Sequence, residues 1–201
     1  TASVDIIRLS SSVLLSFKWS SPLTKSVVTD FIFNADGTVD VSQCMTGLIL
    51  PMIKAGARLG INKKFCNVKW YGRGPQASYP DRKTGYRMGI WKSTVQEMYE
   101  PYLIPQDYGL RTDNRWVRFT DASGKGLEFA VDQPFAFNAY PYTTDNLTKS
   151  VYQYQLVESG DITLNLDYAT SGVGCTARGI FDAYRAYPSG YDRTIVITPV
   201  R

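Results

Sequence analysis

A recurring alternation of apolar and polar residues is the feature that most constrains how this chain can fold. The segment DITLNLDY, residues 161–168, places four apolar side chains on one side and Asp161, Thr163, Asn165 and Asp167 on the other. This period of two is typical of a β-strand with one face buried and one face in solvent. An antiparallel sheet is therefore the first expectation for this part of the chain.

The same pattern occurs along the rest of the sequence. The segment VVTDFIFNADGTVDVSQCM, residues 27–45, alternates on both sides of Asp36-Gly37, a pair typical of β-hairpin turns. Residues 116–131 predict strand, glycine-rich turn and strand, and residues 191–200 predict a last strand. No long helical period is present, although residues 92–102 could form one or two helical turns before Pro101. Residues 1–201 are therefore predicted to form a single all-β sandwich domain.

Composition excludes several classes of function. The net charge of +4 is scattered, which argues against a nucleic-acid partner. No apolar stretch is long enough for a membrane span, and no leader follows Thr1, so we expect a piece of a longer protein. Histidine is absent, which removes Ser-His and Cys-His nucleophile pairs and histidine metal sites. The three cysteines have no metal-ligand spacing, so neither metal nor cofactor is expected, and their number does not fix the compartment.

Three loops have an unusual mixture of aromatic side chains, arginines, glycines and prolines. They cover residues 70–85, 101–116 and 169–184. Loops of this kind on a rigid sheet are common sites of recognition. Tyrosine and tryptophan rings stack on sugar C–H faces, and Asp, Arg and Asn bond hydroxyls. The loops therefore indicate carbohydrate recognition.

Three separate motifs lie in these loops. The first consists of Trp70, Gly72, Gly74, Pro75, Tyr79, Asp81 and Arg82. The second consists of Tyr102, Pro105, Gln106, Gly109, Arg111, Arg115 and Trp116, and the third is a Gly-x-Gly turn at Gly172 and Gly174. In order and spacing, over roughly residues 30–198, they resemble motifs of the C-terminal, small-chain domain of glycoside hydrolase family 2 β-galactosidases. The family patterns are W-x-G-x-G-P-x-E-x-Y-x-D-R, Y-x-x-P-Q-E-x-G-x-R-x-x-x-R-W and a Gly-x-Gly turn before the active-site-facing loop.

The resemblance implies a galactose-mutarotase-like antiparallel β-supersandwich. It also implies a parent enzyme that hydrolyses terminal β-galactosides with two glutamates in a separate barrel domain. This chain would then carry no catalytic residue, would partner the barrel, and would shape the active-site entrance and support domain and subunit assembly.

Departures from the family pattern lead to further expectations. The opening R-P-N-F-W-R-A-P-T-D-N-D stretch of the family is absent, so we expect N-terminal strands to be missing and the exposed sheet edge to favour a homodimer or self-association. Ala77 stands where many relatives carry glutamate. Arg178 stands where some relatives place a tryptophan that stacks on the sugar.

Five residues are candidates for contact with carbohydrate: Arg178, Tyr108, Tyr79, Asp81 and Arg111. Tyr79 and Tyr108, together with Tyr71, are expected to expose their rings for stacking. Structural roles are expected for Asp81, Asp107 and Asp113. Asp81 should cap a turn or pair with a guanidinium, and Asp113 should be braced by Arg111 and Arg115.

The sequence leaves one alternative to a non-catalytic accessory domain open and argues against two others. A stand-alone carbohydrate-binding module remains open, with the three loops lining a concave sheet. Aldose epimerases use a histidine acid, which this chain lacks. The glycines at 72, 74, 172 and 174 form neither a dinucleotide fingerprint nor a phosphate-binding loop.

Overall fold

The computed structural model describes residues 2–21, 24–47, 52–175, 179–187 and 190–201, and over these ranges it confirms the antiparallel all-β prediction. The strands are β1 (Ala2–Arg8), β2 (Ser12–Ser21), β3 (Thr24–Asn34), β4 (Val39–Thr46), β5 (Lys54–Asn62), β6 (Asn67–Gly74), β7 (Arg87–Thr94), β8 (Arg111–Thr120), β9 (Gly126–Tyr142), β10 (Glu158–Thr170) and β11 (Gly190–Val200). Within these ranges one short α-helix, α1 (Thr144–Lys149), lies between β9 and β10, and single 3₁₀ turns cover Gln153–Gln155 and Asp182–Tyr184. No helix within the described ranges is both long and apolar enough to cross a membrane.

The strands form two layers that share β9. The first layer runs β1-β2-β3-β4-β11-β9-β8-β6-β7, and the second runs from β9 through β10 to β5. Residues 126–131 of β9 pair with β11, whereas residues 136–142 pair with β10. The exposed residues 132–134, which include Pro134, separate the two halves. The sheet therefore bends back on itself at this point and becomes a sandwich.

The core fills the space between the two layers. Phe119 and Phe137 pack edge to face with their ring centroids 6.4 Å apart, and Trp70 packs against Phe137 at 5.9 Å. Leu164 and Leu166 of β10 are fully buried against them. Removing this apolar surface from water is the main contribution to the stability of the fold.

The predicted hairpin at Asp36-Gly37 is confirmed between β3 and β4. Gly37 has a φ of +89°, a conformation that few residues other than glycine adopt readily. Its N–H donates to the Asn34 carbonyl (3.0 Å), and the Asp36 carboxylate accepts a bond from the Thr38 N–H (2.9 Å). The turn residues therefore act as their sequence predicted.

The prediction for β10 is half right. Its apolar side packs into the core as expected, with Ile162, Leu164 and Leu166 buried. Its polar side was expected in solvent, and this is wrong for Asn165 and Asp167, which are also buried. The loop between β7 and β8 covers this face and excludes water from it. A hydrogen bond from Asn138 to Asp107 holds the loop there, and Asn165 in turn donates to Asn138.

The helical signals were weak, and the structure has little helix. Residues 92–102 contain no helix but overlapping turns, in which the Met98 N–H donates to the Thr94 carbonyl (3.1 Å) and the Tyr99 N–H to the Gln96 carbonyl (3.2 Å). The helix α1 was not predicted. Its N-cap Thr143 accepts a bond from the Asn146 N–H through its side chain.

Candidate functional site

The three loops singled out in the sequence meet at one pocket on the outer side of the second layer. The pocket has a volume of about 290 Å³. Its walls come from residues 53–54, the turn at 79–82, the loop at 102–110 and residues 170–173. Segments far apart in the sequence therefore form one concave surface.

Asp81 joins two of these loops. Residues 79–82 form a tight turn in which Tyr79 and Arg82 exchange backbone hydrogen bonds, so Asp81 lies at its tip. The Asp81 carboxylate accepts the N–H of Val173 (3.1 Å) and the N–H of Gly174 (2.7 Å). Charge-assisted bonds of this kind are among the strong ones in proteins. Asp81 therefore fixes the start of the 169–184 loop, as the predicted structural role requires, and its contact with carbohydrate stays a prediction.

Glycine is required at two positions in the anchored turn. A Cβ on Gly172 would lie 2.4 Å from the Asp81 carboxyl carbon. Gly174 has a φ of +66°, and a Cβ there would meet the Gly179 carbonyl at 2.4 Å. The Gly-x-Gly pattern is thus explained by close approach and backbone conformation.

A buried polar network holds the 102–110 loop on the sheet. The Asn138 amide donates to the Asp107 carboxylate and to the Tyr108 carbonyl, each at 2.8 Å. Asn165 donates to the Asn138 side-chain oxygen (2.8 Å) and accepts from Arg58 (3.0 Å). The network extends from the sheet to the pocket wall, so Asp107 is a structural anchor, as predicted.

Lys54 links this network to a second carboxylate. Its ammonium nitrogen lies 2.8 Å from Asp107 Oδ2 and 3.7 Å from Asp167 Oδ2. Asp167 is only 4% exposed, and burial raises the pKa of its carboxyl to about 7, although Lys54 opposes the shift. Burial lowers the pKa of Lys54, but the two carboxylates outweigh it and the net shift is upward.

The tyrosines predicted to stack on sugar are mostly buried. Tyr108 lies inside an aromatic cluster with Tyr99 and Tyr140, at ring distances of 5.3 and 5.5 Å. The expectation of an exposed ring is wrong for Tyr108, because the network described above pulls its backbone onto the sheet. Tyr79 is buried as well, although it lines the pocket beside Arg82. Of the three tyrosines predicted to stack on sugar, Tyr71 alone is exposed.

Arg111 is buried beneath the pocket, away from solvent. Its guanidinium donates to the carbonyls of Gly109 and Pro75 and lies over the Trp70 ring. Burial lowers the pKa of Arg111 to about 10. Two of its nitrogens hold loop carbonyls, and its contact with carbohydrate stays a prediction.

Asp113 is braced by other residues than those predicted. Arg73 and Lys83 donate to its carboxylate, and Arg115 reaches only its backbone carbonyl (3.0 Å). Burial raises the pKa of Asp113, but the bonds from Arg73 and Lys83 outweigh that and leave it lowered. Asp113 also has a φ of +59°, so the ion pairs hold an unfavourable backbone conformation in place.

The rim of the pocket is apolar and exposed. Ile53 and Val173 lie on its wall, and Leu103 and Ile104 lie on the adjoining loop. Phe181, whose carbonyl accepts the N–H of Tyr184, is also exposed. Sequence patterns had not indicated this rim, since loop residues follow no periodicity. The remaining candidate, Arg178, lies outside the described residues.

The chain is similar to one protein family and to several known proteins over most of its length. The family model described as "Beta galactosidase small chain" matches residues 3–197. A β-galactosidase of Priestia megaterium is 33% identical over 173 residues, which is 85% of this chain and 16% of that protein. Beta-galactosidase BgaC of Bifidobacterium adolescentis is 35% identical over 62% of this chain and 12% of its own length. A β-galactosidase of Actinobacillus pleuropneumoniae is 31% identical over 80% and 16%, respectively. The chain thus spans about a sixth or less of the length of these relatives.

Proposed function

Because this chain belongs to the β-galactosidase small-chain family, we propose that it is a non-catalytic domain of an enzyme that hydrolyses terminal β-D-galactosides. The acid/base and the nucleophile, both glutamates, lie in a barrel domain elsewhere in the same polypeptide. The domain described here shapes the active-site entrance and supports the assembly of domains and subunits.

The observation that supports the proposal most directly is that the carboxylates in the loops hold those loops in place. A retaining glycosidase needs two carboxyls about 5 Å apart, one of them protonated near neutral pH. Asp81 accepts two backbone N–H groups, Asp107 pairs with Lys54, and Asp113 pairs with Arg73. Each of them holds a loop in place, which supports a wall rather than a catalytic centre.

Asp167 has a pKa raised to about 7 and shares Lys54 with Asp107. It is only 4% exposed, so a substrate cannot reach its carboxyl, and this pair does not supply a catalytic centre either.

The apolar rim is the surface proposed to meet the barrel. Ile53 and Leu103 expose 82% and 90% of their surface beside the pocket. Clustered exposed apolar side chains with polar surroundings are typical of interfaces. Docking here would bring the anchored turn at residues 172–174 to the edge of the barrel's pocket.

Arg178 follows the anchored turn in the sequence and is proposed to bond hydroxyls of the galactoside. Arg178→Ala in the longer enzyme should raise KM for a chromogenic galactoside. Arg87→Ala, at an exposed position on β7, is the matched control and should leave KM unchanged. An unchanged KM for Arg178→Ala would remove this contact from the proposal.

The test of the main proposal uses the 201-residue chain alone. We expect no hydrolysis of a chromogenic galactoside and no saturable binding of galactose or lactose by calorimetry, since one loop cannot enclose a hexose. Measurable hydrolysis would overturn the proposal. The longer enzyme, assayed in parallel, is the positive control.

A stand-alone carbohydrate-binding module is the second candidate, favoured by the lining of the pocket itself. Tyr79 and Tyr102 provide aromatic surface there, and Arg82, Gln106 and Asp107 provide polar groups. This candidate predicts weak, saturable binding of galactose that Gln106→Ala abolishes. Absence of binding at millimolar galactose excludes it.

Dimerisation is proposed only for the chain separated from its parent. β1 to β3 expose apolar side chains on the side that faces the second layer, among them Val4, Ile6 and Trp19. Such a surface favours self-association in water. Light scattering as a function of concentration tests this, and a strictly monomeric chain would contradict it.

A further inference from the structure

The outer face of the first layer carries a row of three cations at its β7 end. In the strand register, Lys69 of β6 lies directly opposite Lys92 of β7 on one side and Arg118 of β8 on the other. Residues paired in this way have their side chains on the same face of a sheet. The next pair along these strands, Trp70 and Val117, is fully buried in the core. The cations therefore lie on the side of the layer that faces away from the second layer.

Two of these cations have no anionic partner within the described ranges. Arg118 pairs with Glu128 of β9, its neighbour in the register, at 2.6 Å. Lys69 and Lys92 belong to no ion pair in the part of the chain that the structure describes. Like charges directly opposite each other on a sheet are destabilising. A ligand that supplies negative charge between the two lysines would remove this repulsion.

An aromatic row runs beside the cations. Two residues away along each strand, Tyr71 lies opposite Ile90 on one side and Trp116 on the other. Tyr71 and Ile90 are 39% and 60% exposed. The guanidinium of Arg118 lies over the Trp116 ring, 5.7 Å from its centroid. At about 3.4 Å per residue the two rows are about 7 Å apart, so one ligand can contact a ring and two ammonium groups at once.

We propose that these two rows bind a saccharide that carries an anionic group, a sulfate or a carboxylate. The anionic group lies between Lys69 and Lys92, and a C–H face of the sugar ring stacks on Tyr71. The site lies on the outer face of the first layer, whereas the loop pocket lies on the outer side of the second. It does not rest on the galactosidase activity.

The spacing of the lysines matches one anionic group. The Cβ atoms of directly opposite residues are about 5 Å apart, so the ammonium groups of Lys69 and Lys92 can reach oxygens of the same sulfate or carboxylate. Bonds between charged donors and charged acceptors are among the strong ones in proteins. A neutral sugar gains only the contact with Tyr71. Binding should therefore depend on the negative charge of the saccharide.

A nucleic acid is a poorer partner for this face. DNA-binding proteins with a steep salt dependence make about 6–10 phosphate contacts. The row offers three cations, and one of them already pairs with Glu128. The row on the far side of the cations is uncharged and consists of Thr94, Asn67 and Thr120. A short ligand with isolated negative charges fits this arrangement better than a polyanion.

Calorimetric titration of the 201-residue chain tests the proposal. The probes are galactotetraose with one sulfate on each unit, tetragalacturonate, and unmodified galactotetraose, all at the same ionic strength. We expect saturable binding of a charged probe with a Kd of about 1 mM or lower and no binding of the neutral one. The tighter of the two charged probes distinguishes sulfate from carboxylate. Equal affinity for all three, or no binding of either charged probe, would overturn the proposal.

A substitution in the cationic row assigns the binding to this face. Lys69→Gln should lower the affinity about 10-fold, since one charge-assisted bond is lost. It should also raise the midpoint of thermal unfolding, since the repulsion from Lys92 is relieved. Lys18→Gln removes the same charge at an exposed position on β2 and is the matched control that should change neither. Unchanged affinity in Lys69→Gln would place the binding elsewhere and overturn the proposal.

The ring contact separates a saccharide from a simple anion. Tyr71→Ala should lower the affinity for the charged saccharide about 10-fold, whereas Tyr71→Phe keeps the ring and should bind as wild type does. Inorganic sulfate and a DNA oligonucleotide of equal charge are the remaining probes. If either binds as tightly as the charged saccharide, the face is a non-specific anion surface and the proposal fails. None of the readouts depends on hydrolysis, so this inference and the proposed function can fail independently.

Discussion

The carboxylate of Asp81 occupies the space that a side chain on Gly172 would need. These residues are 91 positions apart in the sequence, and their contact brings the turn at 79–82 to the start of the 169–184 loop. Two of the three motifs that carried the resemblance are thus in direct contact, and a larger side chain at position 172 would have to displace the Asp81 carboxylate.

Gly172→Ala should destabilise the protein through this contact. The added methyl group would lie 2.4 Å from the Asp81 carboxyl carbon, and overpacking of this kind costs about 1–3 kcal/mol. Denaturant unfolding measures the free energy. Gly85→Ala, where a Cβ meets nothing within 4 Å, is the matched control and should be near neutral. The cost of Gly172→Ala should shrink in an Asp81→Ala background, and an unchanged cost there would contradict the steric explanation.

Asp81→Asn should loosen the anchored turn while keeping its shape. The amide nitrogen of asparagine cannot accept a hydrogen bond, so one of the two bonds from Val173 and Gly174 is lost and the other loses its charge. We expect the amides of residues 173 and 174 to exchange about 10-fold faster by NMR. Asp145→Asn on α1, an exposed position far from the loop, should leave them unchanged. Equal protection in Asp81→Asn and wild type would show that the turn holds without the carboxylate.

Asp167 should make stability fall as pH rises through the neutral range. Its pKa is raised to about 7 in the folded protein, above the ordinary 3.8, so between these values the folded state binds a proton that the unfolded state has released. The contribution is fully present below about pH 4 and is lost as pH approaches 7. Asp167→Asn carries no such proton, so its stability relative to wild type should improve between pH 5 and 8, by up to a few kcal/mol.

Unfolding by urea at pH 5, 6, 7 and 8 checks this difference. The control is again Asp145→Asn, an exposed carboxylate that should follow the wild-type curve. Parallel curves for Asp167→Asn and wild type would mean that Lys54, 3.7 Å away, keeps the Asp167 carboxylate ionised throughout.

Self-association of the isolated chain should depend on the uncovered face of β1 to β3. Replacing Ile6, a highly exposed residue, by lysine should lower the concentration-dependent increase in light-scattering mass, because a charge on that face opposes its burial. Val151→Lys introduces the same charge at an exposed apolar position outside this face and should have little effect. Equal effects of both variants would trace the association to net charge instead.

Much of the fold could be predicted because strand alternation and hairpin turns are local signals. The Asp36-Gly37 turn and the apolar side of β10 needed no tertiary information. The polar side of β10 was misjudged because Asn165 and Asp167 are covered by a loop some 60 residues earlier, and no local pattern reveals such a cover. Tyr108 was misjudged for the same reason, since Asn138 holds its carbonyl to the sheet.

The residues of the candidate site could likewise be predicted only in part. Motif glycines and Asp81 were found from the sequence because they match the motifs of the family that the chain resembles. Lys54 and Asn138 were missed because each lies in an ordinary strand pattern and gains its role only when three loops converge. Contacts of this kind depend on the fold as a whole.

The bend in β9 has a consequence for how the molecule loses its structure. One uninterrupted strand pairs with β11 through residues 126–131 and with β10 through residues 136–142, and β8 pairs with both parts. Neither layer can melt without releasing hydrogen bonds on both sides of Pro134, so heating should produce one cooperative transition for both layers. A cut in the peptide backbone at residues 132–134 should lower the transition temperature but leave one transition, because β8 pairs with both halves of β9 and the layers share one apolar core.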